Sequence, residues 1–259
     1  MFHSQFEFLQ PALVNFVGGG GKTALILRLL EEYSESVAAV YTTTTRIHPP
    51  HPSGGMAILA SDNEEYLHLL LERALLGWCH GCKFVVTRLP ASPNLLAGVT
   101  PGFISRPDRV LFPVVLNEAD GARSMSLKFP REGEPVLMAG ANYLVPVIGL
   151  DCLSRPLGPD TLFRWELASA QLDLQAGRSL TEDLAASILL HPRGVCKDWK
   201  PGTRIIPFIN KVDSKADDAP ARALAEAMFR NRHFPVERVV LGSVKNSRAF
   251  SLTVRPGSC

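Results

Sequence analysis

The sequence contains no run of eighteen apolar residues, so it offers no candidate for a helix that crosses a bilayer. It has no excess of either charge: 27 Lys and Arg stand against 25 Asp and Glu, a formal net charge of +2. A balance that close calls for neither nucleic acid nor an anionic membrane as a partner. Cysteine is scarce and odd in number, five in 259 residues, which fits free thiols in a reducing compartment better than a disulfide framework. The first residues, Met1-Phe2-His3-Ser4-Gln5-Phe6-Glu7-Phe8, lack the basic start and apolar middle of a secretion signal, so a cytoplasmic protein is expected. What is present is a hydrophobic content of 46%. That is enough to bury one substantial core, and a single α/β domain over residues 1–259 is expected.

The most informative stretch is Val14-Asn15-Phe16-Val17-Gly18-Gly19-Gly20-Gly21-Lys22-Thr23, followed by the apolar helical run Ala24-Leu25-Ile26-Leu27-Arg28-Leu29-Leu30. Four consecutive glycines let the backbone curl so that its N–H groups converge on an anion, and the helix behind them adds the positive end of its dipole. Lys22 is expected to reach the terminal phosphates of a nucleotide, and the Thr23 hydroxyl to sit on Mg2+. The usual phosphate-loop pattern has a glycine where this chain has Phe16. The loop is therefore short, nearer the Gly-Gly-x-Gly-Lys-Thr variant of accessory GTPases and deviant ATPases. Many of those ATPases place a lysine where this chain has Val17, so no such lysine is available to act across a homodimer, although a homodimer itself stays open.

Read in order, Ala12 to Val17 forms a first strand and a helix runs to about Tyr33. Val37 to Tyr41 is a second strand that empties into Thr42-Thr43-Thr44-Thr45-Arg46, hydroxyls at the carboxyl end of a strand, where open α/β sheets bind ligands. Thr43 is the candidate from this run for the magnesium shell; a β-favouring run that simply ends a strand is the alternative. His48 and His51 invite a metal reading, but their flanking prolines favour a solvated loop. Ser61 with Glu64 reads as a capping box for a helix to about Leu76. Cys79 and Cys82 follow a helix and precede a strand, Phe84 to Thr87, the reverse of a redox pair's context. Residues 89–109 read as loop-rich. Pro113 predicts an edge, a bulge or a late start for a strand at Val114 to Asn117.

Glu118 and Asp120 stand just past that strand, where a magnesium ion and an attacking water need hard oxygen ligands. Lys128, in an apolar and proline-rich stretch, is either a ligand for phosphate or an anionic cofactor, or an ordinary surface lysine. Tyr143 to Leu150 reads as a strand weakened by Pro146. Two amphipathic helices, Arg164 to Leu174 and Thr181 to Leu190, make a helical insertion around residues 155–200 that could cover the nucleotide. The strand Arg204 to Ile209 then leads into Asn210-Lys211-Val212-Asp213. Asn-Lys-x-Asp is the guanine-reading element of GTPases: Asp213 would accept from the N1 and N2 edge of guanine, while Asn210 and Lys211 brace base and loop. Adenine has no matching donor pair, so GTP is favoured, with ATP still possible. A helix Ala219 to Arg230, a strand Arg238 to Leu241 and a tail over residues 246–259 complete the chain. The whole reads as a doubly wound, mostly parallel sheet of the P-loop NTPase type with helices on both faces.

Gly-Gly-Gly-Gly-Lys-Thr at 18–23, Thr-Thr-Thr-Thr-Arg at 42–46, Glu-Ala-Asp-Gly-Ala-Arg at 118–123, Leu127-Lys128-Phe129-Pro130, Glu134-Pro135 and Gly149-Leu150-Asp151 occur in that order. Together they resemble the YqeC family, described as accessory proteins of selenium-dependent molybdenum hydroxylases. The resemblance spans roughly residues 12–245. It implies a nucleotide-binding α/β fold and a partner that is a molybdenum hydroxylase client or its cofactor. On the residues themselves the expected activity is slow Mg-dependent GTP hydrolysis: Lys22 and the loop glycines on the phosphates, Thr23, Thr43, Glu118 and Asp120 about the metal and water, and Arg46, Arg123 or Arg164 as charge donors. Two alternatives stand beside it: an ATP-dependent kinase or ligase acting on a cofactor precursor, and a non-hydrolysing module gated by nucleotide.

Overall fold

The computed structural model describes residues 1–50, 55–77, 83–92, 95–104 and 112–254. His51, Cys79, Cys82 and Cys259, and the readings attached to them, lie outside these residues. The chain opens with α1 (His3–Phe6), β1 (Ala12–Gly18), α2 (Lys22–Ser34), β2 (Ala39–Thr43), β3 (Met56–Ala60), α3 (Glu64–Leu76), β4 (Lys83–Ser92) and β5 (Leu95–Ala97). Its middle holds β6 (Val114–Glu118), β7 (Leu127–Lys128), β8 (Tyr143–Gly149), β9 (Leu162–Phe163), α4 (Trp165–Leu172) and α5 (Glu182–Leu189). It closes with β10 (Arg204–Ile205), β11 (Phe208–Asn210), α6 (Asp218–Phe229), β12 (Arg238–Ser243) and β13 (Arg248–Thr253).

Among the described residues an eleven-stranded sheet runs in the order β13-β12-β11-β8-β1-β6-β2-β4-β3, with β10 on β8 and β5 on β4. The β12–β13 and β4–β5 pairs are antiparallel and the others parallel. β1 is wholly buried because its alternate side chains serve two layers. Val14 and Phe16 join the apolar cluster under α1 and α2, Leu13 that under α3, and Val17 that under α5 and α6. Helices thus cover both faces, as expected of a doubly wound α/β fold. α2 buries Leu25, Ile26, Leu29, Leu30 and Tyr33 on one stripe, each fully buried aliphatic contributing about 1.5–3 kcal/mol.

The parallel register brings strand ends together. Thr43 and Phe16 both pair with Glu118, Gly18 with Val147, and Asn210 with Gly149. The carboxyl ends of five strands therefore share one edge, where ligands of open α/β sheets bind.

Several expectations are corrected. Of the outcomes expected at Pro113 the edge position is the one excluded: the strand starts at Val114, as expected, and lies in the sheet centre between β1 and β2. Pro146 sits within β8 because its neighbour is interrupted at the same level, between β10 and β11 at Pro207, so the missing donor has no ladder to break. Asn63, not Ser61, caps α3, accepting from the Tyr66 N–H at 3.0 Å, while Glu64 turns to Thr100. The expected tail contains the strand β13, whose Phe250 and Leu252 pack on the core. The loop-rich span holds the β4–β5 hairpin pairing. No helix among the described residues is long and apolar enough to cross a membrane. Cys152 and Cys196 are free and buried, and burial pushes the Cys152 thiol up to about 12.

Candidate nucleotide site

The glycine loop leaves β1 at Gly18 and enters α2 at Lys22. Gly18, Gly20 and Gly21 have φ of 94°, 75° and 107°, a left-handed backbone that favours glycine. Space demands glycine too: a Cβ on Gly19 would lie 2.4 Å from the Met125 carbonyl oxygen, and one on Gly20 2.2 Å from the Gly149 nitrogen. The loop's first amides are engaged within the protein. Gly18 N–H donates to Asp120 Oδ2 (3.1 Å), Gly19 N–H to the Val147 carbonyl (2.9 Å) and Gly20 N–H to the Met125 carbonyl (2.9 Å). Donors for an anion come instead from the helix start. Gly21 caps α2 with no side chain to offer, and a helix leaves its first amides, here those of Lys22, Thr23 and Ala24, without an internal partner.

Opposite the loop, Thr23 Oγ1 donates to Glu118 at 2.9 and 3.1 Å. Tyr41, which the sequence reading passed over, holds the same carboxylate at 2.9 Å. Burial, and then the adjacent Glu118 charge, push the Tyr41 phenol up, so it is a donor at neutral pH. Lys22 Nζ donates to the Gly18 carbonyl at 2.6 Å and pairs with Asp120 Oδ1 at 3.0 Å and Glu118 Oε1 at 3.9 Å.

Asp120 and Lys128 are fully buried. The Lys128 ammonium donates to Glu134 Oε2 (2.7 Å) and to the Gly121 carbonyl (2.7 Å) and is ion-paired with Asp120 Oδ2 at 2.9 Å. Lys128 is thus a buried internal bridge between Asp120, Gly121 and Glu134, and not a surface lysine. Asp120 likewise sits between Lys22, Lys128 and the Gly18 amide, where it positions Lys22. The Thr43 hydroxyl donates to the Glu118 carbonyl at 2.8 Å and ties β2 to β6. Of the proposed metal oxygens, Thr23 and Glu118 line the cleft.

β7 pairs with β9, bringing Lys128 level with Phe163. Arg164 next to it grips both oxygens of Glu134 at 2.6 and 2.8 Å. Burial raises the Glu134 carboxyl, but the Arg164 guanidinium and the Lys128 ammonium outweigh it and hold its pKa down at about 2. The helical layer of residues 155–200 packs on the sheet face away from α2, and none of its residues lines the nucleotide cleft. It flanks the site through Arg164 and does not cover it, which corrects the expected lid.

At the other end, the Asn210 side chain spans two elements. Its Nδ2 donates to the Gly20 carbonyl at 2.7 Å, and its Oδ1 accepts from the Val244 N–H at 3.2 Å. Lys211 reaches Ser126 and Asp151, both at 2.8 Å. Asp213 is exposed; its Oδ1 accepts from the Ser243 hydroxyl at 2.5 Å. Of the Asn-Lys-x-Asp residues, Asn210 thus touches the loop and Lys211 lines the cleft beside it, whereas Asp213 is held by Ser243 and Asn246 and is not part of the cleft wall. A cleft of 540 Å³ runs along Gly19 to Ala24, Glu118, Arg46, Arg123 and Lys211. Larger cavities exist elsewhere, the first of 620 Å³ beside Met138 and Trp199, but they hold no comparable set of amides, lysine and carboxylate.

Tyr41 and Ser126 were not singled out from the sequence, and Glu134 stood out there only as part of the Glu134-Pro135 motif. Tyr41 carries a signal, a tyrosine two residues before the end of a strand beside Glu118. The Glu134 to Arg164 pairing carries none.

A family profile described as "YqeC protein" matches residues 14–166, taking in the loop, Glu118, Lys128, Glu134 and Arg164 but not Asn210 to Asp213. The protein described as "Uncharacterized protein YqeC" of Escherichia coli (strain K12) is 28% identical over 247 residues, covering 93% of this chain and 91% of that one. No solved structure matches. With more than half of its length matched, the chain belongs to the YqeC family.

Proposed function

We propose that the chain binds a guanine nucleotide with Mg2+ and hydrolyses it slowly, in the service of maturing or loading a molybdenum-containing hydroxylase. The observation that carries the nucleotide reading is the meeting of Thr23 and Glu118 in a cleft lined by the start of α2 and by Lys22. A hydroxyl and a carboxylate are hard oxygen donors of the kind Mg2+ takes beside nucleotide phosphates, so these two residues fit the ion and would hold it. Bound there, it would neutralise charge on the phosphates. The α2 amides and Lys22 would bind the phosphate oxygens, Asp120 would keep Lys22 aimed along the loop, and Tyr41 would fix the Glu118 carboxylate.

The guanine preference is supported by Asn210, which ties the loop to Val244 at the end of β12, and by Asp213 itself. Its Oδ1 is braced by Ser243, and its exposed carboxylate faces outward to accept from a base edge. Slow turnover follows from the arginines: Arg164 is committed to Glu134, and Arg46 and Arg123 lie at the cleft's exposed rim. The client side of the proposal comes from the accessory role described for the YqeC family.

The test is phosphate release from GTP and ATP, with Mg2+ and with chelator, with and without a candidate hydroxylase client. Release from GTP that needs Mg2+, is lost in Thr23→Ala and exceeds that from ATP is expected. Equal release from both nucleotides, or release untouched by chelator, contradicts the reading.

A further inference from the structure

Two cavities open beside the nucleotide cleft at Gly121, which borders all three. One, of 400 Å³, is walled by Arg123, Arg131, Phe163 and Arg164; the other, of 590 Å³, by Thr45, Arg46 and Arg131. Glu134 lines both and is their sole carboxylate, against four arginines. Its two oxygens already receive Lys128, Arg131 and Arg164. Arg46 and Arg123 are exposed and have no ion pair among the described residues. Arg123 and Arg164 both lie over the Phe163 ring, at 5.6 and 4.8 Å. So much unmatched positive charge around two adjoining open cavities lacks an anion.

A second feature marks the same place. Arg123, Ser124 and Arg164 have φ of 47°, 63° and 66°, a left-handed conformation that non-glycine residues seldom adopt and that gathers at ligand sites. Both strained arginines face the same cavity.

We infer that this space is a second binding site, for the phosphate group of a ligand other than the nucleotide. The arginines come from separate elements: Arg46 follows β2, Arg123 and Arg131 flank β7, and Arg164 precedes α4. A tetrahedral dianion accepts from guanidiniums on several sides, whereas one fork fills a carboxylate. Through Gly121 the bound phosphate would lie next to the end of the loop that takes the nucleotide's terminal phosphate. That adjacency rests on the proposed function; the phosphate site itself does not.

The probe is inorganic phosphate, titrated calorimetrically into the full chain, with succinate as the carboxylate control. Wild type should bind phosphate at least about tenfold more tightly than succinate, and the double variant Arg46→Ala with Arg123→Ala should weaken phosphate by about tenfold or more. Both arginines are exposed, so circular dichroism should report an unchanged fold. Lys22→Ala should bind phosphate within about threefold of wild type. No phosphate binding, equal affinity in the double variant, equal affinity for succinate, or loss in Lys22→Ala would each overturn the inference. GTP titrated into Arg131→Ala, whose side chain lines both cavities but not the nucleotide cleft, separates the two readings: nucleotide binding retained while phosphate is weakened places the phosphate at its own site, and failure of GTP to bind any form strikes only the nucleotide reading.

Discussion

The two ends of the cleft are built on opposite plans. At the proposed phosphate end, Lys22, Asp120, Lys128 and Glu134 are largely withdrawn from water and hold one another. At the proposed base end, beyond the cleft wall, Asp213 is exposed and its carboxylate is supported by one serine hydroxyl. Buried charges are costly to leave without a partner, while an exposed one is solvated whatever its neighbours do. The phosphate end is therefore fixed by folding itself. The base end can be altered with little structural consequence, so selectivity and stability should separate cleanly between the two.

The sharpest way to break this contrast is Asp120→Ala, which leaves Lys22 and Lys128 facing each other's charge in a dry site. A loss of about 3–5 kcal/mol is expected in urea unfolding; a loss below about 1 kcal/mol would mean the buried network does not hold the loop. Next comes pH. The Glu134 carboxyl is lowered in the folded chain from an ordinary 4.5 to about 2. Its contribution to stability is therefore complete above the ordinary value and disappears as the pH falls through about 2. It amounts to at most about 3 kcal/mol. Acid unfolding of Glu134→Gln should show a shallower slope in that window than wild type, and identical slopes would remove Glu134 from the account. Thr23→Ala should leave unfolding within about 1 kcal/mol of wild type yet weaken the magnesium dependence of nucleotide binding about tenfold, read by titrating Mg2+ at fixed nucleotide. Asp213→Ala should have the smallest effect on the fold, within about 0.5 kcal/mol, while erasing the preference for GTP over ATP in competition binding. A large loss of stability there would abolish the distinction between the ends.

Much of the fold was legible because its signals are local. The apolar run before four glycines, the helical stripe of Leu25, Ile26, Leu29 and Leu30, and the acids after β6 each announce one element and its place on the sheet edge. β13 was also present in the sequence: Phe250 and Leu252 alternate with Ser251 and Thr253, the period of a strand with one buried face. β3, five residues without alternation, offered no such pattern. The candidate site was legible in its residue types but less so in their roles. Lys128 and Asp120 look alike as ligands or as a structural pair until β7 and β9 come together. Glu134 and Arg164, thirty positions apart, meet only through that pairing. Likewise, four glycines announce a turn that can bind an anion, but not that Met125 and Val147 would take two of their amides.

The most direct test of the central claim, that this cleft holds a nucleotide through Lys22 and the start of α2, is a calorimetric titration of GTP with Mg2+ into wild type and Lys22→Ala, each first shown to be folded. A saturable heat in wild type that falls at least about tenfold in affinity in the variant is predicted. Identical binding curves, or no binding by either protein, would contradict the claim.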